Sequence, residues 1–258
     1  MNSRHTAVDL RGKTALVTGA SSGLGLHLAQ LLARAGCRVV IGARRIELLN
    51  EIAEKIASQG DCAYPIALDV TSGASVRSGV AAAIQHLGGI DILVNGSGVS
   101  KSADILSHEE ADWDTVIDTN LKGAFLMSTE VARHMRAIGR GGSIINIGSV
   151  LGIRQVKGVV SYAVSKAGLH QLTKTMALEL ARYKIRVNAL APGYFKTEMN
   201  HTLWTTDQGS ALTKRIPQRR LGQLEDLDGP FLLLASDESS FMTGTIIPVD
   251  GGHLLANL

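Results

Sequence analysis

Lys13-Thr14-Ala15-Leu16-Val17-Thr18-Gly19-Ala20-Ser21-Ser22-Gly23-Leu24-Gly25 is the stretch that decides the fold. Its first six residues form a run that reads as a buried strand. Three glycines follow, and then Leu24, Leu28, Leu31, Leu32 and Ala35 recur at helical spacing until Gly36 closes the pattern. The order is strand, glycine turn, helix. Gly19 permits a tight turn. Gly23 lets backbone approach a pyrophosphate at the positive end of the helix, and Gly25 lets helix and strand pack closely. A plain tight turn would need no helix opening directly behind it, so Gly19, Ser21, Ser22, Gly23, Leu24 and Gly25 are candidate nucleotide contacts.

Working outward, the same alternation recurs. Arg38-Val39-Val40-Ile41 is a second strand, and Ile46, Leu49, Ile52, Ala53 and Ile56 mark a helix that Gly60 ends. Ala63-Tyr64-Pro65-Ile66-Ala67-Leu68 is a third strand, whose proline favours a sheet edge. Residues 72–87 read as a helix with Asp69-Val70 just ahead of it. Ile90-Asp91-Ile92-Leu93-Val94 is a central buried strand, and 111–138 reads as one long helix. Further strands are expected at 143–147, 186–190 and 244–249, with a short helix at 227–234. This pattern predicts an α/β fold, a Rossmann-type doubly wound parallel sheet in a single domain spanning 1–258. In the strand order 3-2-1-4-5-6 the third strand is the edge, as Pro65 requires. Residues 194–220 lack clear periodicity and are expected to form a substrate lid. Met199, Leu203, Trp204 and Gly209 lie within it, and Trp204 suits a core position under the loop equally well.

The second strand ends at Gly42-Ala43-Arg44-Arg45, and no acid follows before Glu47. A cofactor with a free ribose 2′-hydroxyl calls for an acid near this point. Two arginines instead suit a 2′-phosphate. An arginine–phosphate bond is worth about 1.5–3 kcal/mol, or roughly 10- to 150-fold. NADP(H) is therefore expected over NAD(H), with Arg44 the main contact and Arg45 beside it. The alternative is solvated residues at a helix start, where the helix dipole disfavours cations.

The expected chemistry lies between Ser149 and Lys166. Ser149 follows the apolar strand ending at Ile147, where open parallel sheets place their ligands. Tyr162 and Lys166 are four apart, on one face of a helix that continues through Leu169, Leu172, Met176 and Leu180. A unit charge about 4 Å away at an effective dielectric of about 20 supplies about 4 kcal/mol, enough to lower a phenol pKa by roughly three units. Ser149 offers a hydroxyl to polarise a carbonyl oxygen. By itself a Tyr-x-x-x-Lys pair is a common helix-surface feature. Of the four tyrosines, only Tyr162 has the lysine.

The totals set bounds. A chain of 258 residues with 45% hydrophobic content suits one domain with a sizeable core. No apolar run approaches the length of a membrane span, and residues 1–9 lack the apolar region of an export signal. Cys37 and Cys62 form no metal or redox motif, and the eight histidines show no ligand spacing. No metal is therefore expected, and a reducing, cytoplasmic location is. The net charge of +3 argues for no nucleic-acid partner. Two local basic groups, Arg133, Arg136 and Arg140, then Lys214, Arg215, Arg219 and Arg220, read as solvated surface or as attraction for an anionic substrate or carrier.

The run Thr18 to Gly25 resembles the cofactor loop of the short-chain dehydrogenase/reductase family. Ser149, with Tyr162 thirteen residues on and Lys166 four beyond that, resembles the family's catalytic serine, tyrosine and lysine in order and spacing. The resemblance runs from Lys13 to Gly252. It implies that Asn120 is the fourth catalytic residue, holding a water that connects the lysine to solvent. From the residue alone, a structural polar contact is the plainer reading. It further implies that Asp69 and Val70 lie along the adenine, that Asn95 and Gly96 line the cofactor path, and that Pro192, Gly193 and Thr197 lie beside the nicotinamide. Members usually carry Asn-Asn-Ala-Gly where this chain has Asn95-Gly96-Ser97-Gly98. That departure puts a strand-bracing contact in question. The implied activity is hydride transfer between NADP(H) and a ketone or secondary alcohol, in a homotetramer. A small carbonyl or alcohol substrate and a carrier-bound 3-oxoacyl group remain alternatives, as does a non-catalytic NADP(H) sensor or scaffold.

Overall fold

The computed structural model describes residues 8–196 and 207–255. Seven strands form its sheet: β1 (Thr14–Thr18), β2 (Arg38–Ala43), β3 (Ala63–Ala67), β4 (Ile92–Asn95), β5 (Gly142–Ile147), β6 (Ile185–Pro192) and β7 (Ile246–Val249). Every ladder is parallel, in the order β3-β2-β1-β4-β5-β6-β7. The helices are α1 (Gly23–Arg34), α2 (Ile46–Ala57), α3 (Gly73–Leu87), α4 (Glu110–Ile117), α5 (Gly123–Ile138), α6 (Val160–Leu180), α7 (Asp207–Arg215) and α8 (Asp228–Ala235).

The two faces of the sheet can be read along its strands. Ala15 and Val17 of β1, Ile92 and Val94 of β4, and Ile145 of β5 pack with Leu28, Leu31 and Ile52 of α1 and α2 and with Phe231 of α8. Their neighbours Leu16, Leu93 and Ile144 face the other way and pack with Val80 of α3, Met127 and Val131 of α5, and Ala177 of α6. Strands covered on both faces are continuously apolar, which is why β1 is buried at all five positions. As Pro65 requires, β3 is an edge strand.

Two elements differ from the sequence reading: α7 lies within the stretch 194–220 that showed no periodicity, and the long helix expected at 111–138 is divided. Residues 111–138 are not a single helix: α4 and α5 are joined by a π-helical turn, Asp118–Lys122. Apolar periodicity continues through both helices, so the pattern alone does not reveal the wider turn. The turn carries Asn120, which is fully buried. Inserted turns of this kind collect at functional sites.

The sheet reverses its strand order between β1 and β4, and there the loops leaving the two strands press together. A Cβ on Gly96 would lie 2.6 Å from the Thr18 carbonyl oxygen, and one on Gly19 would lie 2.7 Å from the Gly96 carbonyl oxygen. The bracing that the Gly96-Ser97 departure put in question comes from two sources. Thr18 Oγ1 accepts hydrogen bonds from the Gly96 and Ser97 amides at 3.1 and 3.3 Å. Asn95 Nδ2 donates to Asn146 Oδ1 on β5 and to Ser128 Oγ on α5, both at 2.8 Å. Gly96→Ala should therefore cost about 1–3 kcal/mol through overpacking. In a chain of this size each kcal/mol lowers the melting midpoint by roughly 2–4 °C. An unchanged midpoint on thermal denaturation would show that the two loops have room for a side chain.

Candidate active site

The carboxyl ends of the central strands open into a cleft of about 500 Å³. The glycine loop forms its floor. Gly19 and Gly23 hold positive φ angles of 68° and 57°, which a side chain would strain. A Cβ on Gly25 would come within 2.3 Å of the Gly19 carbonyl oxygen, so this glycine is required by the close approach of α1 to its own loop. Ser22 is the N-cap of α1 but makes no side-chain capping bond. The first-turn amides thus keep their donors for an anion.

Arg44 and Arg45 line the cleft where β2 ends, both with exposed side chains. Arg45 Nη2 donates to Ser21 Oγ at 3.0 Å, which links this corner to the glycine loop. Asp69 is held below the usual carboxylate range, first by hydrogen bonds from the Thr71 amide and hydroxyl and then by the charge of Arg44. Arg44, Asp69 and Val70 thus border one end of the cleft, with Gly96 on its path and Pro192 and Gly193 at the other end.

Ser149, Tyr162 and Lys166 meet at the end of β5. Lys166 is 4% exposed, and its Nζ donates to the carbonyl of Ile147 at 2.8 Å. Burial pulls its pKa down to about 8, so it remains mostly charged at neutral pH. Its Nζ lies 5.5 Å from the centroid of the Tyr162 ring. The expected lowering of the phenol pKa by this lysine is not found. Burial pushes the Tyr162 phenol up, and the opposing influence comes from a hydrogen bond with the Ser149 hydroxyl. The physical reason is that the sequence pair shows proximity but not desolvation, and desolvation dominates here. Ser149 Oγ also accepts from the Leu151 amide at 3.1 Å, which fixes its orientation.

Asn120 stands behind these three. Its Oδ1 accepts from the Val99 amide at 2.8 Å, and its Nδ2 donates to the Val99 carbonyl at 2.9 Å and to Ser165 Oγ at 3.0 Å. Ser165 Oγ in turn donates to the Tyr162 carbonyl at 2.7 Å. The amide thus ties the 97–100 loop to α6, the structural contact that the residue type alone suggested. A Cβ on Gly98 would be 3.6 Å from both Asn120 Oδ1 and Lys166 Nζ, so the two side chains flank that glycine.

Every candidate residue among those described either lines the cleft or, for Asn95 and Asn120, is buried behind it. Thr197 lies outside the described residues, as do Met199, Leu203 and Trp204. The base of the expected lid is pinned by a bridge between Phe195 and Gly222. Its far part forms α7. Ser165 was not singled out by the sequence reading, and Thr18 only as the first residue of the cofactor-loop run. Both are small hydroxyl residues whose value lies in which backbone they meet, and spacing carries no trace of that.

The buried ammonium gives a pH prediction. Lys166 titrates near 8 when folded, against 10.5 for a solvent-exposed lysine. Between those values the unfolded chain holds a proton that the folded chain has released, so this group makes stability rise with pH across that window. Below it, the charge is present in both states and its burial is a cost. Lys166→Met should therefore be more stable than wild type near pH 7, by about 1–3 kcal/mol, and the difference should shrink from pH 8 to 10.5. Denaturant titrations at pH 7 and 10 measure this, and a pH-independent difference would contradict it.

Known proteins resemble this chain over nearly its whole length. The family described as enoyl-(acyl carrier protein) reductase matches residues 19–253. The chain is 41% identical over 246 residues to 3-oxoacyl-(acyl-carrier-protein) reductase of Thermotoga maritima, covering 95% of this chain and 99% of that one. It is also 41% identical over 245 residues to gluconate 5-dehydrogenase of Gluconobacter oxydans, covering 95% of each. A crystal structure of gluconate 5-dehydrogenase from Burkholderia cenocepacia, in complex with NADP and tartrate, superposes with a TM-score of 0.93 at 40% identity. It covers 96% of this chain and 98% of that one. Among the described residues, no helix is long and apolar enough to cross a membrane. With a glycine-loop cleft and a Ser149, Tyr162 and Lys166 cluster on a seven-stranded parallel sheet, and with relatives matched over nearly their full length, the chain belongs to the short-chain dehydrogenase/reductase family.

Proposed function

We propose that the protein is an NADP(H)-dependent oxidoreductase that transfers a hydride between nicotinamide and a ketone or secondary alcohol. The observation that carries this reading is the meeting of Ser149, Tyr162 and Lys166 in the same cleft as the glycine loop and the two arginines. The residues fit the cofactor. The α1 amides lack a side-chain cap, and a Cβ on Gly23 would touch nothing within 4 Å, so this backbone edge is open to a pyrophosphate. Arg44 and Arg45 suit a 2′-phosphate. NADP complexes among the solved relatives support the preference.

The nicotinamide supplies the hydride chemistry, and the chain supplies position and field. In the reductive direction Ser149 hydrogen-bonds the carbonyl oxygen, and Tyr162 protonates that oxygen as it gains charge. Lys166, charged at neutral pH, holds a fixed positive charge beside the Tyr162 ring and would bind the nicotinamide ribose. Asn120 orders the wall through which a proton is returned. Pro192 and Gly193, with Asp69, Val70, Asn95 and Gly96, shape the groove.

A carrier-bound 3-oxoacyl substrate is the second reading, in line with the Thermotoga maritima relative. Arg133 on α5 and Arg140 just beyond its end have side chains 69% and 64% exposed, but they pair with Glu130 at 3.0 Å and Asp91 at 3.8 Å. Arg136 stacks on Tyr183, and Arg220 pairs with Asp226. These local partners favour solvated surface over a docking face, so a small carbonyl or alcohol is the first reading. Tyr162 and Lys166 are both retained, which disfavours the sensor alternative. A homotetramer is part of the proposal by family resemblance.

Following cofactor absorbance with a panel of ketones, 3-oxoacyl esters and ketoses tests this reading. Turnover should favour NADPH, and Tyr162→Phe should bind NADPH but lose at least about 10²-fold in turnover. Arg44→Ala should cut the preference for NADPH over NADH by roughly 10- to 150-fold. Retained turnover in the tyrosine variant, or equal use of NADH by the wild type, would refute the corresponding assignment.

A further inference from the structure

One buried titratable side chain has no part in that mechanism. His170 lies on α6 one turn beyond Lys166, so Tyr162, Lys166 and His170 share a helix face. It is 5% exposed. Its ring fits between the two glycines that bracket Ser149. A Cβ on Gly148 would come within 2.3 Å of His170 Nε2, and one on Gly152 within 2.8 Å of its Cε1. The turn Gly148-Ser149-Val150-Leu151-Gly152 is therefore folded directly over the imidazole, with no side chain between them.

The ring is not a plain apolar filler. Its Nε2 is buried with no hydrogen-bond partner. Burial first, then the charges of Lys166 and Lys174, pull its pKa down to about 4, while a hydrogen bond with the Gly152 backbone pulls the other way. The imidazole is neutral at working pH, so it adds no second positive charge beside Lys166. The Gly148 amide anchors the turn to β6 by donating to the Leu190 carbonyl at 2.7 Å, and the Gly152 amide closes the turn on itself by donating to the Ser149 carbonyl at 3.0 Å. Beyond that anchor, the face of the turn toward α6 rests on His170.

We propose that His170 is a positioning residue for the reaction: its ring is the surface against which the Gly148–Gly152 turn is set, and it thereby fixes the Ser149 hydroxyl relative to Tyr162. The inference rests on the catalytic reading of Ser149 given above. It acts through Ser149 and touches neither substrate nor cofactor. The nucleotide corner at Gly19–Gly25 and Arg44 is built from other strands and does not depend on it.

The test is a double-mutant cycle between His170→Ala and Ser149→Ala, with turnover read on the ketone that the substrate panel identifies and NADPH affinity read by direct titration. Removing Ser149 should cost about 10²-fold or more in kcat, as loss of an oxyanion donor does. His170→Ala should lower kcat by about 10- to 100-fold, since a small misplacement of a reacting group is that costly. Its NADPH Kd should stay within about twofold of wild type. In the Ser149→Ala background the same change should cost little more, because its effect is transmitted by Ser149. Ultraviolet titration supplies a readout without substrate. Both single variants should raise the Tyr162 phenol pKa, the signal being assigned by its loss in Tyr162→Phe, because the Ser149 hydrogen bond that lowers it is lost or misplaced.

His170→Asn keeps a neutral, hydrogen-bonding side chain of similar width and should recover part of the turnover. It also carries the test if the alanine variant fails to fold. Full losses that add in the double variant, an unchanged kcat in His170→Ala, or a loss of NADPH affinity equal to the loss of kcat would each overturn the inference while leaving the proposed function standing. Wild-type turnover in Ser149→Ala would instead overturn the catalytic reading, and this inference with it.

Discussion

A buried ammonium bonded to a strand-end carbonyl is the interaction on which the site depends. Lys166 reaches from α6 to the carbonyl of Ile147, two residues before Ser149. Three residues farther back along β5, counting from Ser149, Asn146 Nδ2 donates to Thr173 Oγ1 at 2.8 Å, seven residues along the helix from Lys166. The inward face of α6 is accordingly polar, with Ser161, Ser165, Lys166, His170 and Thr173 all buried. Two bonds spaced along the helix fix its position along the strand and leave Tyr162 beside Ser149. An apolar face would bury as much area with less cost in desolvation, but it would not set this register. The cost of burying a charge falls at the residue proposed to serve the reaction.

A second constraint acts at the other end of the cleft. The loops after β1 and β4 meet backbone to backbone, with Gly19, Gly25 and Gly96 each placed where a Cβ would collide with a main-chain oxygen. This contact brings the glycine loop and the 96–99 segment to one groove. Asn120 then ties that segment to α6 through Val99 and Ser165. The glycine-loop corner and the cluster of Ser149, Tyr162 and Lys166 are joined by this chain of hydrogen bonds, and the π turn that inserts Asn120 is the part of the helix that makes the link possible.

Much of this was legible in the sequence because it depends on local chemistry. The glycine spacing after Thr18, the proline that sends the third strand to an edge, and the four-residue step from Tyr162 to Lys166 each follow from backbone geometry alone. Two arginines with no acid before Glu47 marked the far corner of the cleft. What was not legible depends on burial or on contacts between distant segments. The phenol of Tyr162 is shifted upward by desolvation, which a pair spacing does not encode. The π turn leaves the apolar period of 111–138 intact, so no break announces it. His170 reads as an ordinary helical residue until Gly148 and Gly152 are seen to close over it.

The most direct test of the account is a crystal structure of the protein with NADP⁺ bound. The account predicts the pyrophosphate on the amides of Ser21 to Gly25 and the 2′-phosphate within about 2.7–3.2 Å of Arg44 or Arg45. It predicts the nicotinamide between Pro192-Gly193 and the hydroxyls of Ser149 and Tyr162, with Lys166 on the ribose. A dinucleotide bound in the opposite direction, or one whose nicotinamide lies away from Tyr162, would contradict it.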